Sequence, residues 1–176
     1  HENSRTMTSA QLYASVPEFT PENVDLWMER IKKYYDLVLN VDYQTIDENW
    51  EKDIFEYINK GVNEDYLKKQ LKEYREWVQQ NQIVIEGSVV PEPTMIYKPG
   101  FGMYFVRAQV DFKIISFKEN KNLLYDPRAE YHSLKKGVEY KGDADIEIST
   151  NVAGNWGPTL RISNTASLFT NNNFLP

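Results

Sequence analysis

Apolar residues along the first eighty positions recur with the 3.6-residue spacing of amphipathic helices. Val24, Trp27, Met28, Ile31, Tyr35 and Val38 form one stripe that runs to about Asn40. Its start is marked by Thr20-Pro21-Glu22, which supplies an N-cap hydroxyl, a proline at the first helical position and an acid in the first turn. Phe19 and Val24 stand where a hydrophobic staple closes such an end. A second stripe, Ile46, Trp50, Ile54, Phe55 and Ile58, follows the capping box Thr45-Ile46-Asp47-Glu48, with Gly61 as the expected stop. Asn63-Glu64-Asp65 opens a third helix carrying Leu67, Leu71, Tyr74 and Val78 on one face, with Trp77 beside them. Trp27, Trp50 and Trp77 lie on the apolar sides of their helices and read as core.

From Gln82 the period changes to two. Ile83-Val84-Ile85 and Val89-Val90 read as strand, after which Pro91, Pro93, Pro99, Gly100 and Gly102 break the pattern. Residues 103–117 form the clearest strand. Tyr104, Val106, Ala108, Val110, Phe112 and Ile114 lie on one face, and Arg107, Gln109, Asp111 and Lys113 on the other. Lys118 to Asn122 is a polar turn, and Leu123 to Lys136 has no clear period, with Asp126-Pro127 interrupting it. Glu139 to Ser149 alternates again, with Tyr140, Ala144, Ile146 and Ile148 inward. A last strand is expected near Leu160–Phe169. The pattern predicts an α+β fold, with three N-terminal helices packed on a curved, mostly antiparallel sheet of four to five strands. Residues 1–19 read as a linker, a cloning remnant or the cut end of a longer chain. Residues 20–170 form a single α+β domain, and 171–176 a flexible tail.

That order of elements over residues 20–170, with Tyr34-Tyr35-Asp36-Leu37 in a long first helix and the long strand 103–117, resembles the nuclear-transport-factor-2-like superfamily of cone-shaped domains. Within it, the chain is most similar to extracytoplasmic scaffold domains of Gram-positive cell-envelope and conjugative type IV secretion proteins. The resemblance implies a location outside the cytoplasm, with anchoring by a segment absent from this chain, and a scaffold role. Enzymes of the superfamily work in a pocket between helices and sheet, where a buried Asp, His or Tyr moves a proton.

The 176 residues suit one domain with a true core. The chain has no cysteine, which excludes disulfides, thiolate nucleophiles and cysteine-ligated metals. Lys and Arg number 20 against 26 acids, a net charge of −6, and there is no basic patch of the kind that holds nucleic acid. The acidity is confined to residues 1–81, with 16 acids and 10 bases, whereas residues 82–176 hold ten of each.

Candidate chemistry is sparse, and no cofactor is implied. His132 is the one internal histidine and reads as a surface residue before a catalytic one. Asp143, Asp145 and Glu147 alternate on one strand, so their carboxylates share a face. A divalent cation could use them, although a solvated sheet face accounts for them more simply, since the spacing matches no EF-hand loop. If the concave face carried Arg107, Gln109, Asp111 and Lys113, then Asp111 would be the candidate base of an isomerase or dehydratase pocket. If it carried the apolar set, the cone would be filled. Met95, Ile96, Tyr97 and Phe101 crowd a Pro/Gly-rich connection, and Trp156 sits between Gly154 and Gly157. These five are the candidate binding residues, for a protein partner or, through stacked rings, for carbohydrate. The expectation is a non-enzymatic scaffold or protein-binding domain that binds partners or itself. It would contact a membrane only through the missing segment.

Overall fold

A computed structural model describes residues 16–59, 63–100, 103–149, 161–163, 165–170 and 174–175. Three helices precede an antiparallel sheet: α1 (Pro21–Val38), α2 (Glu48–Tyr57), α3 (Glu64–Gln80), β1 (Val84–Gly100), β2 (Met103–Ser116), β3 (Glu139–Ser149), β4 (Arg161–Ile162) and β5 (Phe174–Leu175). The curled sheet has the order β1-β2-β3-β4, and β5 pairs with the same β3. Ile148 and Ser149 of β3 face β4, while Lys141 and Gly142 face β5, so the two short strands pair with opposite ends of β3. The fold is therefore α+β with the helices before the sheet, as the periodicity predicts.

Helix α1 begins as its sequence dictates. The Thr20 hydroxyl accepts from the Asn23 amide at 3.2 Å, Pro21 occupies the first turn, and the staple residues Phe19 and Val24 are both buried. Phe19, Trp27 and Tyr104 form a three-ring cluster with centroids 5.7–5.9 Å apart, which ties the N-terminal segment, α1 and β2 together. Residues 16–19 thus belong to the domain rather than to a linker. Helix α2 is capped by Asp47, whose carboxylate accepts from Asn49 N at 2.9 Å, and not by Thr45 as the capping-box pattern suggests. Asp42 accounts for the difference. Its carbonyl accepts from the amides of Thr45 and Ile46, which turns that stretch before the helix starts. Gly61 lies outside the described residues. The Asn63 side chain caps α3, accepting from Tyr66 N at 3.0 Å.

On β2 every second residue from Tyr104 to Ile114 is buried. Register places Tyr104 opposite Ile148, Val106 opposite Ile146, Ala108 opposite Ala144 and Phe112 opposite Tyr140, the last pair stacked at 5.2 Å. This apolar face is the one packed into the core with the helices. Strand β1 differs from the expectation. Instead of breaking at Pro91, it continues to Gly100 and absorbs the prolines through a register shift between Pro91 and Ile96. Its place at the sheet edge permits this, because Pro91 and Pro93 have no N–H to leave unpaired. The region around 160–169 also departs from a single strand. Among the described residues there, only Arg161–Ile162 pairs as a strand, and 165–170 is a series of turns. Phe174–Leu175, expected in a loose tail, pairs with β3.

Two close fits hold the helices against the sheet. At the end of α1 the Asn40 side chain brackets Gly87 of β1, donating to its carbonyl at 2.9 Å and accepting from its amide at 3.2 Å. Only glycine fits there, since a Cβ would lie 2.7 Å from both the Asp111 carbonyl and the Phe112 Cβ. At the end of α3, Asn81 is 2 % exposed. Its amide donates to the Glu119 carbonyl at 2.8 Å, and its Oδ1 accepts from the amides of Lys118 and Glu119. Gln82 follows in the left-handed region at φ 50°, so that the Ile83 amide bonds back to the Val78 carbonyl in a Schellman-type ending.

Replacing Asn81 with Ala strips these partners from buried backbone groups. It should cost about 2–4 kcal/mol in urea unfolding. Gln82→Gly relieves the left-handed strain and should raise stability by about 1 kcal/mol, read as a higher denaturation midpoint.

Candidate functional site

A space of about 420 Å³ opens between α1, α3 and the segments 122–127 and 163–166. Tyr34 reaches it from α1, and Gln70, Glu73, Tyr74 and Trp77 from α3. Tyr125 and Asp126 face them from the irregular segment. The wall is built by aromatic packing: Trp50, Tyr74 and Tyr125 lie 5.3–5.9 Å apart, and Tyr34 meets Tyr35 edge-on at 4.8 Å. Hydrogen bonds tie α3 to the segment opposite. The Tyr74 hydroxyl donates to the Leu123 carbonyl and Trp77 Nε1 to the Lys121 carbonyl, both at 2.9 Å. An ion pair between Arg75 and Glu51 fastens α3 to α2 behind the wall.

Asp126 organises the far side. Its Oδ1 accepts from the Arg128 amide at 2.9 Å and the Ser167 hydroxyl at 2.6 Å, and its Oδ2 accepts from the Leu168 amide at 2.9 Å. Burial raises its pKa above the ordinary carboxylate value, against the lowering effect of those three donors and of nearby His132. The cavity phenols and the neighbouring Tyr35 are shifted upward by burial as well: Tyr34, Tyr35 and Tyr74 well above their usual range, and Tyr125 to about 12.

None of the candidate catalytic, metal-binding or contact residues read from the sequence lines this cavity. Asp111 sits on the sheet face opposite the packed one, partly exposed, with Lys141 Nζ 3.7 Å from its Oδ2. Asp111 therefore lies off the apolar face, on which Val106, Val110 and Phe112 are packed into the core. His132 borders a separate space of about 170 Å³, stacked on Phe169 at 4.4 Å.

The three acidic residues of β3 serve different ends. Asp143 is exposed, and the Glu147 carboxylate accepts from the Thr165 hydroxyl at 3.4 Å. Asp145 is 4 % exposed, and the solvated-face reading does not hold for it. It takes two bonds from its cross-strand partner Arg107, at 3.0 and 3.3 Å, and a third from the Tyr97 hydroxyl at 2.9 Å. Arg107 already neutralises this carboxylate and would repel an entering cation. Among the described residues no three acidic or histidine side chains converge as a metal site.

The binding candidates also divide. Met95 is 47 % exposed, and Val90, on the same strand, is 57 % exposed. Ile96 is core, which removes it from any contact surface. Tyr97 stacks on Phe105 at 5.3 Å and points its hydroxyl at Asp145. Phe101 and Trp156 lie outside the described residues. Comparison with family models, with curated proteins and with solved structures finds no match to this chain.

The phenol shifts carry a sign. A folded pKa raised above the unfolded value of about 10 contributes stability that is complete below pH 10 and lost as pH climbs toward the folded value. In a titration of phenolate absorbance, the native chain should therefore ionise fewer tyrosines at pH 11 than the urea-unfolded chain, and then unfold near pH 12. Coincident curves would contradict the burial of these rings.

Proposed function

We propose that this chain is a non-enzymatic binding domain that docks a protein partner through the outer strand of its sheet, as part of a larger assembly. The observation that carries this reading is the pair Val90 and Met95, two large apolar side chains left exposed five positions apart on β1. Water gains from covering such side chains, and clustered ones mark contact surfaces. Pro91 and Pro93 lie in the same stretch and deny a partner two backbone donors. Recognition then rests on side chains rather than on addition of a further strand. The filled interior of the sheet supports binding over catalysis, because Asp111 is directed away from the enclosed space. The resemblance to cone-shaped scaffold domains extends the proposal to an extracytoplasmic cell-surface or secretion assembly.

A photo-crosslinking side chain placed at Val90 or Met95 should capture a defined protein in the native host, and one at exposed Lys52 should not. Equal capture from all three positions would remove the reading. Val90→Lys combined with Met95→Lys should weaken the captured complex by about tenfold or more while leaving the unfolding midpoint within experimental error.

A further inference from the structure

The cavity between α1 and α3 is separate from the β1 surface, and its wall offers no open counter-ion. Among the described residues no Lys, Arg or His borders it. Both of its acids are engaged. Glu73 is largely exposed and paired with Lys69, while Asp126 accepts from the Arg128 and Leu168 amides and the Ser167 hydroxyl. Uncharged hydrogen-bonding groups take the place of ions. The Tyr34 and Tyr125 hydroxyls and the Asn122 and Gln70 amides set donors and acceptors side by side, and only one amide proton of Gln70 is committed, to the Tyr66 hydroxyl at 3.1 Å. Asn122 is the most telling of these. It is exposed, and its backbone is left-handed at φ 48°, a conformation that glycine adopts most easily. Its neighbours on both sides are pinned to the aromatic wall: the Lys121 carbonyl accepts from Trp77 Nε1 and the Leu123 carbonyl from the Tyr74 hydroxyl, both at 2.9 Å. Those two bonds hold Asn122 at the cavity beside the Trp77 and Tyr74 rings.

Trp77 is half-buried, its edge is fixed by the bond to Lys121, and no other ring stacks on it among the described residues. Ring surface is therefore left to serve as a platform. We infer that this cavity binds an uncharged sugar, its C–H face laid on the Trp77 ring and its hydroxyls bonded to Asn122, Gln70 and the two tyrosine hydroxyls. A sugar joins an apolar face to a rim of hydroxyls that both donate and accept, which is what an aromatic platform bordered by amides and phenols satisfies. The volume of about 420 Å³ lies within the range of small-ligand pockets. Other ligand classes fit less well. An anion meets no cation, and a wholly apolar guest leaves amides and phenols unpaired. A flat base needs a slot between two open ring faces, whereas Trp50, Tyr74 and Tyr125 are packed on one another.

The test is a nuclear magnetic resonance titration of the isotope-labelled chain with maltose, cellobiose, lactose and diacetylchitobiose. At least one of these should move the Trp77 indole and Asn122 side-chain amide resonances saturably, with a Kd of about 1 mM or below. Glucosamine and glucuronate, the cationic and anionic relatives of glucose, should bind no tighter than glucose itself. Asn122→Gly suits the left-handed backbone and removes the amide, so the unfolding midpoint should hold or rise while the sugar binds about three- to tenfold more weakly. Absence of saturation by all four disaccharides at about 50 mM would overturn the inference. So would saturable shifts confined to residues away from the cavity, or an Asn122→Gly chain that binds as the parent does. Glucosamine bound about tenfold tighter than glucose would make the site one for cations, and adenosine bound in preference to every sugar would make it one for bases; either result overturns the assignment.

Discussion

The junction of the helical half with the sheet depends on one buried amide. Asn81 ends α3 and at the same time satisfies three backbone groups of the turn that follows β2, while the Lys118 amide bonds back to its carbonyl. A buried polar side chain is tolerated only when each of its groups has a partner, and here the partners come from a segment 37 or 38 positions away. The direction in which α3 leaves the helical layer is set by that requirement. So is the position of its outer turns, which carry Glu73, Tyr74 and Trp77 to the cavity.

The same junction explains why enclosed space occurs where it does. Between α1 and the sheet, glycine at position 87 and the apolar alternation of β2 allow backbone and side chains to close completely. Between α1 and α3 the filling is supplied by rings, which stack and tilt at centroid distances above 5 Å and cannot interdigitate like aliphatic chains. The irregular segment 122–127 closes that side with backbone carbonyls that bind Tyr74 and Trp77, and with a carboxylate that staples Ser167 and Leu168. The charged face of the sheet is a third environment. There the Arg107–Asp145 pair and the Lys141 network neutralise charges across register partners instead of gathering them at a site.

Much of the fold could be read from residue spacing, because it is encoded locally. The Thr20 cap, the stripes of α1 and α3, and the strict alternation of β2 and β3 each depend on neighbours within one element. The prolines of β1 misled because proline forbids a central strand and permits an edge strand, and position in the sheet is not a local property. Asp47 displaced Thr45 as a cap because a turn around Asp42 intervened. The cavity was hidden for a related reason. Tyr34 and Tyr74 announce burial through helical spacing, but not which buried residues border a gap. Asp126-Pro127 showed only that regular structure stops there. A buried-type aromatic next to a stripe position, as Tyr34 is to Tyr35, was the one available hint.

The pairing of the strands also sets an order of assembly. Strands β1, β2 and β3 form a meander whose contacts join successive segments, with only residues 101 and 102 between β1 and β2 and the longer segment 117–138 between β2 and β3. Strand β4 is different. Besides Ile148 and Ser149 it meets α2's exit, where Ile58 bridges Ile162 in parallel and the Asn59 amide bonds the Ile162 carbonyl at 2.8 Å. That contact spans most of the chain, and its entropy cost is met only after helices and meander are both in place. The two-residue strand β4 therefore acts as a latch. It closes late, couples the two halves into one cooperative unit, and is the first element expected to open when the native state fluctuates.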